Sequence, residues 1–351
     1  MVDITLERVT KRFGDFTAVD AIDTRFPSGE VTCLLGPSGC GKTTLMRMIA
    51  GLEHVSEGRI LVGGTDQGAL PPRERDIGMV FQYPVMYPTL TVAENIAEPL
   101  RHDPRFDTKA RAARVDEMLD VLDMREMRDA FIGDLNAGMR QKVAVGRAVA
   151  RQAQVVLFDE PTTNVEVHAK LALIRAIKQV AGRLRQTIVY VTHDQTEAMT
   201  LGDGIALMQA GRIVQQDEPR HVYAAPQTTF AGWFIGSPGM NDLSAEVRDG
   251  ALISPFLPAP IRLPGPVTGT VTLGARPEWM TVGSGLATGE VLDSVIGIGG
   301  RRLMTVCVGD SRIAVKCAPR DAAPVGSQIN LSVAPDRATV FVDGVRLELG
   351  G

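Results

Sequence analysis

The sequence predicts an α/β layer with a largely parallel sheet over its first 235 residues, followed by a smaller all-β region. Three observations carry that reading. Short apolar runs at Val31–Leu35, Val155–Phe158 and Thr187–Val191 alternate with helical stretches, the pattern of strands joined by crossover helices. A glycine-rich turn joins the first of these runs to a helical segment. From residue 236 onward the composition changes: that third of the chain holds 10 of 21 prolines and 17 of 36 glycines, and its only lysine is Lys316.

The chain has 351 residues, enough for two or three domains at about 100–200 residues each. Lys plus Arg is 37 and Asp plus Glu is 41, a formal net charge of −4. That balance excludes a strongly basic nucleic-acid binder. A hydrophobic fraction of 44% supports a sizeable core. No apolar run reaches the length of about 18 residues that spans a bilayer, and the opening Met1–Arg8 lacks the apolar stretch of a secretory signal. The four cysteines (Cys33, Cys40, Cys307 and Cys317) form no C-x-x-C pair. Neither a disulfide scaffold nor a zinc site is expected, and a reducing cytoplasm fits.

Taken in order, Val31–Leu35 reads as a buried strand, and Thr43–Ala50 as the helix after it. An all-helical stretch is expected at about 83–150. Within it Val115, Met118, Leu119 and Leu122 recur at helical spacing. Val155–Phe158 and Thr187–Val191 are continuous apolar runs, as in strands covered on both faces. The C-terminal runs Val267–Leu273, Arg302–Val308, Arg312–Lys316 and Ala338–Val342, separated by turn residues, read as strands of a small barrel or sandwich.

The turn between the first strand and helix is Gly36-Pro37-Ser38-Gly39-Cys40-Gly41-Lys42-Thr43, with Thr44 following. It matches G-x-x-x-x-G-K-[ST] with the required strand before and helix after. Glycines let backbone N–H groups close around phosphate oxygens, and the helix N-terminus favours an anion. Lys42 reaches β- and γ-phosphates in this motif, and the Thr43 hydroxyl ligates Mg²⁺. The run Val155–Phe158 ends in Asp159-Glu160, at the strand end where ligands bind in open α/β sheets. Asp159 suits the Mg²⁺, and Glu160 suits the general base that activates water. The bland alternative for the pair is a helix cap and a first-turn acid. His193, in Thr192-His193-Asp194 after another apolar strand, suits a γ-phosphate donor or, more blandly, a cap.

Together these residues resemble an ABC transporter ATPase. The order is the Walker A loop at 36–43, Gln82 in Val80-Phe81-Gln82, the Leu135–Met139 region, the Walker B strand and His193, over residues 1–235. The resemblance implies ATP and Mg²⁺ as ligands. It makes Gln82 a contact to Mg²⁺ and water, and Phe13, in Lys11-Arg12-Phe13-Gly14, the ring that stacks on adenine. Core packing is the alternative for Phe13. Tyr83–Val92 and Phe234–Asn241 look like the ATPases of sugar importers, including the maltose and glycerol-3-phosphate systems. Leu273-Gly274-Ala275-Arg276-Pro277-Glu278 resembles part of their C-terminal OB-like regulatory domain, expected here at 236–351.

The resemblance further implies an ATPase peripheral to the cytoplasmic face of the inner membrane. Its partners would be two membrane-spanning permeases, a second ATPase and, indirectly, an extracytoplasmic binding protein. The transported class would be a carbohydrate, polyol or glycerol-phosphate; polyamine, iron and sulfate importers share most of the motifs. Tyr83–Tyr87 would line the groove for a permease helix. An ABC protein of DNA repair or translation fits the single cassette and β-rich tail less well.

Two loops depart from the family. Leu135-Asn136-Ala137-Gly138-Met139 stands where Leu-Ser-Gly-Gly-Gln is usual, and Thr163-Asn164-Val165-Glu166 where Ser-Asn-Leu-Asp is frequent. Asn136, Ala137, Gly138 and Met139 would complete a partner's nucleotide site, so the departures sit on the partner-facing side. They point to a paired, non-identical ATPase, with a homodimer that tolerates the changes as the alternative, or to a regulatory subunit with slow turnover.

Overall fold

A computed structural model describes residues 2–184 and 186–349. The chain divides into two compact units, Met1–Pro219 and Arg220–Gly351. The composition change lies at residue 236, so residues 220–235 fall in the second unit.

The first unit begins with strands β1 (Ile4–Phe13), β2 (Phe16–Phe26) and β3 (Val31–Leu35), then helix α1 (Lys42–Ile49). Strands β4 (Glu57–Val62), β5 (Thr65–Asp66) and β6 (Ile77–Val80) follow. Next come α2 (Val92–Ala97), α3 (Thr108–Val121) and α4 (Ala137–Ala150). The unit closes with β7 (Val155–Asp159), α5 (Val167–Leu184), β8 (Thr187–Thr192), α6 (Gln195–Leu201), β9 (Gly204–Gln209) and β10 (Arg212–Asp217).

Two sheets form. One is antiparallel, in the order β2-β1-β4-β5; the other runs β10-β9-β3-β8-β7-β6. In the second, β9, β3, β8, β7 and β6 are mutually parallel, with β10 an antiparallel edge. Every residue of β3 and β8 is buried, because crossover helices cover both faces of a parallel sheet. One apolar cluster joins the layers, with Ile4, Phe26, Leu45, Ile49, Leu157 and Val189 among its members. The expected helical stretch is present between β6 and β7. Val115, Met118, Leu119 and Leu122 are all buried there.

The second unit begins with α7 (Pro219–Ala224, its first residue from the unit before) and α8 (Thr229–Phe234). Its strands are β11 (Asn241–Ser244), β12 (Glu246–Arg248), β13 (Ala251–Ile253), β14 (Ile261–Arg262), β15 (Val271–Ala275), β16 (Met280–Ile296), β17 (Arg302–Val308), β18 (Ser311–Cys317), β19 (Gln328–Val333), β20 (Thr339–Val342) and β21 (Val345–Arg346). They make sheets in the orders β11-β15-β20-β21, β12-β13-β14 and β18-β17-β16-β19, around a core that includes Leu273, Val291, Met304, Val315 and Leu331. Arg276 of the Arg-Pro-Glu element is fully buried. Its guanidinium donates to the carbonyls of Tyr223 (2.7 Å), Gly232 (2.8 Å) and Ile235. It also lies 4.1 Å from the centroid of the Tyr223 ring. A buried guanidinium needs such acceptors to offset its lost hydration, and here they are the carbonyls that end α7 and α8.

Candidate functional site

Parallel pairing sets the site. Leu35 pairs with Thr192, Val191 with Asp159, and Phe158 with Val80. The chain therefore leaves the same edge of the sheet at Gly36, His193, Glu160 and Phe81-Gln82. Four segments distant in sequence converge at the C-terminal strand ends, the usual ligand edge of such a sheet.

The loop after β3 can only be built with glycine at two of its positions. A Cβ on Gly36 would meet the Met208 carbonyl oxygen at 2.3 Å. One on Gly41, whose φ is +104°, would meet the Ala18 carbonyl oxygen at 2.3 Å. Gly41 is the N-cap of α1, with Leu45 N–H donating to its carbonyl at 2.9 Å. Lys42 is 4% exposed, and its ammonium donates to the carbonyls of Gly36 and Pro37, both at 2.9 Å. Cys40 is buried behind the loop, its thiol 3.8 Å from the same ammonium. Burial pushes that thiol up, against the pull of Lys42. Ser38, Gly39 and Thr43 are exposed, and Pro37 and Thr44 half-buried.

Thr43 Oγ1, in the first turn of α1, donates to Asp159 Oδ1 at the end of β7 at 3.5 Å. Burial, and then the neighbouring Glu160 charge, push the Asp159 carboxyl above its ordinary value. Glu160 adopts φ +43°, the left-handed region that costs a non-glycine residue about 1–3 kcal/mol. Its N–H donates to the Val191 carbonyl at 3.0 Å, which extends the β7–β8 ladder by one bond. Its Oε2 lies 3.0 Å from His193 Nδ1 and accepts from Thr163 Oγ1 at 3.1 Å. Gln82 is half-buried just past the end of β6.

The remaining predicted residues are spread over two other places. Phe13 ends β1 and is 48% exposed, with Lys11 Nζ 4.7 Å from its ring centroid; it is a surface ring. Asn136 is the N-cap of α4, its Oδ1 accepting from Met139 N–H at 2.9 Å. Asn136 and Ala137 are exposed and Met139 half-buried, whereas Gly138 is buried. A Cβ at Gly138 would stand 3.0 Å from that of Ala169, so this glycine lets α4 approach α5.

The helix that begins at Ala137 also holds the loop after β6. Gln141 Nε2 donates to the Phe81 carbonyl at 3.2 Å; Arg147 donates to the Val85 carbonyl and lies 4.9 Å from the Tyr87 ring centroid. Buried Asn95 closes the loop's far end, accepting from Tyr87 N–H and donating to the Tyr87, Leu90 and Thr91 carbonyls at 3.0–3.1 Å. A pocket of about 180 Å³ remains, lined by Phe81, Pro84, Val85, Ala144 and Arg147 among others. Tyr83 and Val85 are mostly exposed. The contacts of Gln141 and Arg147 join segments about 60 residues apart, and no local pattern in the sequence announces them.

Residues 19–163 match the family described as ABC transporter. The chain is 42% identical over 278 residues to the sn-glycerol-3-phosphate import ATP-binding protein UgpC of Ruegeria pomeroyi, a match covering 79% of each chain. It is 35% identical over 350 residues to the sulfoquinovosyl glycerol transport ATP-binding protein SmoE of Agrobacterium fabrum, covering 97% of this chain and 98% of that one. The chain belongs to the ABC transporter ATP-binding proteins. Among solved structures, the ATP-binding cassette MJ0796, in a dimeric post-hydrolysis state bound to ADP and Pi, superposes with a TM-score of 0.54 at 26% identity. That match covers 62% of this chain and 99% of the cassette. As an ABC ATPase the chain binds nucleotide and works with membrane permeases. Among its described residues no helix is long and apolar enough to cross a membrane.

Proposed function

We propose that this chain is the ATP-hydrolysing subunit of an importer for a glycerol-phosphate, polyol or carbohydrate. The observation that carries the reading is the 3.0 Å contact of Glu160 with His193, beside the loop that holds Lys42. The substrate class rests on the names of the UgpC and SmoE relatives, and the ATPase role on the strand-end chemistry.

In this reading the loop amides of 36–43 cradle the phosphates, and Lys42 exchanges the Gly36 and Pro37 carbonyls for phosphate oxygens. Phe13 offers its exposed face to adenine. Glu160 takes the proton of the attacking water, and His193 fixes the Glu160 carboxylate while donating toward the γ-phosphate. The residues suit Mg²⁺: the Thr43 hydroxyl, the Asp159 carboxylate and the Gln82 amide oxygen are hard donors, few enough to leave room for water and phosphate ligands. The raised Asp159 carboxyl fits a site that a cation would relieve. When bound, the ion neutralises charge on the β- and γ-phosphates.

The C-terminal unit would serve as an OB-like regulatory domain, and the pocket beside Tyr83 and Val85 would receive a permease helix. The complex would sit on the cytoplasmic face of the membrane, served from outside by a binding protein, with no part for nucleic acid. Asn136, Ala137, Gly138 and Met139 would face the nucleotide of a second ATPase. Asn136 spends its oxygen on capping α4 and keeps only its amide NH₂ as a donor. Ala137 adds a methyl where a phosphate would come close. A non-identical partner supplying Leu-Ser-Gly-Gly-Gln to this chain's own site would tolerate both changes. The test is the subunit composition of the purified transporter. One copy of this chain with a second ATPase and two permeases is expected, and two copies of this chain with ordinary turnover would contradict the pairing.

A further inference from the structure

Behind the Glu160–His193 contact lies a buried polar cluster that the nucleotide-binding loops do not use. Glu197, in the first turn of α6, is 1% exposed. Its Oε2 accepts from Tyr190 Oη and Thr192 Oγ1, each at 2.8 Å. Its Oε1 accepts from Thr162 Oγ1 and pairs with Lys170 Nζ at 2.6 Å. Lys170 Nζ also reaches Asp194 Oδ2 at 2.6 Å, and Asp194 Oδ1 caps α6 by accepting from Thr196 N–H (2.7 Å) and Glu197 N–H (3.3 Å).

The origin of the donors gives the cluster its meaning. Tyr190 and Thr192 lie on β8, and Thr192 immediately precedes His193. Asp194 immediately follows His193. Thr162 stands two residues after Glu160, in the turn held at its start by the Glu160 N–H bond to Val191. Lys170 lies on α5, which packs on α4 through Ala169 and Gly138. One carboxylate therefore ties down both turns that present hydrolytic side chains. Burying a charge is costly unless it is fully paired, and an apolar side chain could fill the space without fixing either turn.

We propose that Glu197 is a positioning residue for hydrolysis, holding turns 160–163 and 192–194 so that His193 Nδ1 meets Glu160 Oε2. The inference rests on the hydrolytic roles proposed for Glu160 and His193. Misplacement of a reacting group by about 1 Å costs on the order of 100-fold in rate, so small relaxations of these turns act on kcat. In that reading nucleotide affinity comes mainly from the 36–43 loop and Phe13, and none of the cluster's hydrogen bonds goes to either.

The test is ATP turnover of the assembled transporter carrying Glu197→Gln or the milder Tyr190→Phe, each also in a His193→Ala background, with Glu160→Gln as control. Glu197→Gln is expected to lower kcat about 10–100-fold, with KM for ATP within about twofold. Tyr190→Phe, which removes one donor and keeps the charge, is expected to lower kcat about 3–10-fold. In the His193→Ala background neither should lower turnover further by more than about twofold, because residues acting through one contact are non-additive. A purely structural role would lower turnover in both backgrounds, and that result would overturn the proposal. So would unchanged kcat in both variants while Glu160→Gln abolishes turnover. If Glu197→Gln does not assemble, Tyr190→Phe decides alone by the same criteria. Retained turnover in Glu160→Gln would instead overturn the reading of the site itself.

Discussion

His193 Nδ1 lies 3.0 Å from Glu160 Oε2, joining the ends of two adjacent parallel strands. Register makes the contact possible. Asp159 pairs with Val191, so the next residues on each strand turn off the sheet side by side. The left-handed backbone of Glu160 aims its carboxylate at the ring, while Asp159 keeps the strand geometry and faces Thr43. Two consecutive acids thus acquire different surroundings and can perform different work.

The two φ-positive glycines of the 36–43 loop should respond differently to an added methyl. Gly39→Ala meets no atom within 4 Å and carries only the strain of φ +79°, about 1 kcal/mol. Gly41→Ala adds a 2.3 Å clash with the Ala18 carbonyl and one of 2.8 Å with Met208. Thermal denaturation should show a drop for Gly41→Ala several degrees larger than for Gly39→Ala. ATP binding should weaken at least tenfold in Gly41→Ala. Equal drops would show that backbone strain, not the close approach, governs this loop.

Phe13→Ala should weaken ATP and GTP together, by about 1–3 kcal/mol, since stacking reads a ring face and not hydrogen-bond edges. The ring is half exposed, so the melting temperature should change little. Nucleotide titration and thermal denaturation of the same variant check both statements. A large fall in stability with unchanged affinity would mark the ring as packing alone.

Lys170→Met should destabilise the first unit by about 2–4 kcal/mol at neutral pH, through the loss of its partly buried pairs. The Asp194 carboxyl is held below its ordinary value of 3.8; burial works to raise it, but the hydrogen bond and charge of Lys170 outweigh burial. A carboxyl depressed in the folded state adds stability above its unfolded value, and that stability is lost as the pH falls through the folded value. The gap between wild type and variant should therefore hold from about pH 7 to 5 and narrow below about pH 4. Denaturant unfolding across that range measures it, and a gap that widens on acidification would contradict the assignment.

The conformation of the 36–43 loop was legible because its eight residues carry local constraints: a strand, glycines where no Cβ fits, a lysine and a helix start. The acids after β7 were legible because a continuous apolar run fixes where the strand ends. The Glu197 cluster was not, since Thr162, Lys170, Tyr190 and Glu197 look unremarkable one at a time and meet only when β8, α5 and α6 pack. The 17-residue strand β16 was missed as well. Glycines at 283, 285 and 289 break its alternation, yet a Cβ at Gly285 or Gly289 would strike a neighbouring carbonyl at 2.2 and 2.5 Å, so those breaks serve close strand approach. Residues 220–235 are tied to the C-terminal unit by contacts such as those of Arg276 with the Tyr223 and Gly232 carbonyls and of Thr229 N–H with the Gly344 carbonyl, which no composition profile contains.

The assignment of this chain as the hydrolysing subunit is tested most directly by ATP turnover of the assembled transporter with Glu160→Gln in this chain alone. The variant keeps the shape of the side chain and a hydrogen-bonding atom for His193 but removes the base. Turnover is predicted to fall about 10²–10⁴-fold, with ATP binding retained. Near-full turnover in that variant would contradict hydrolysis through Glu160.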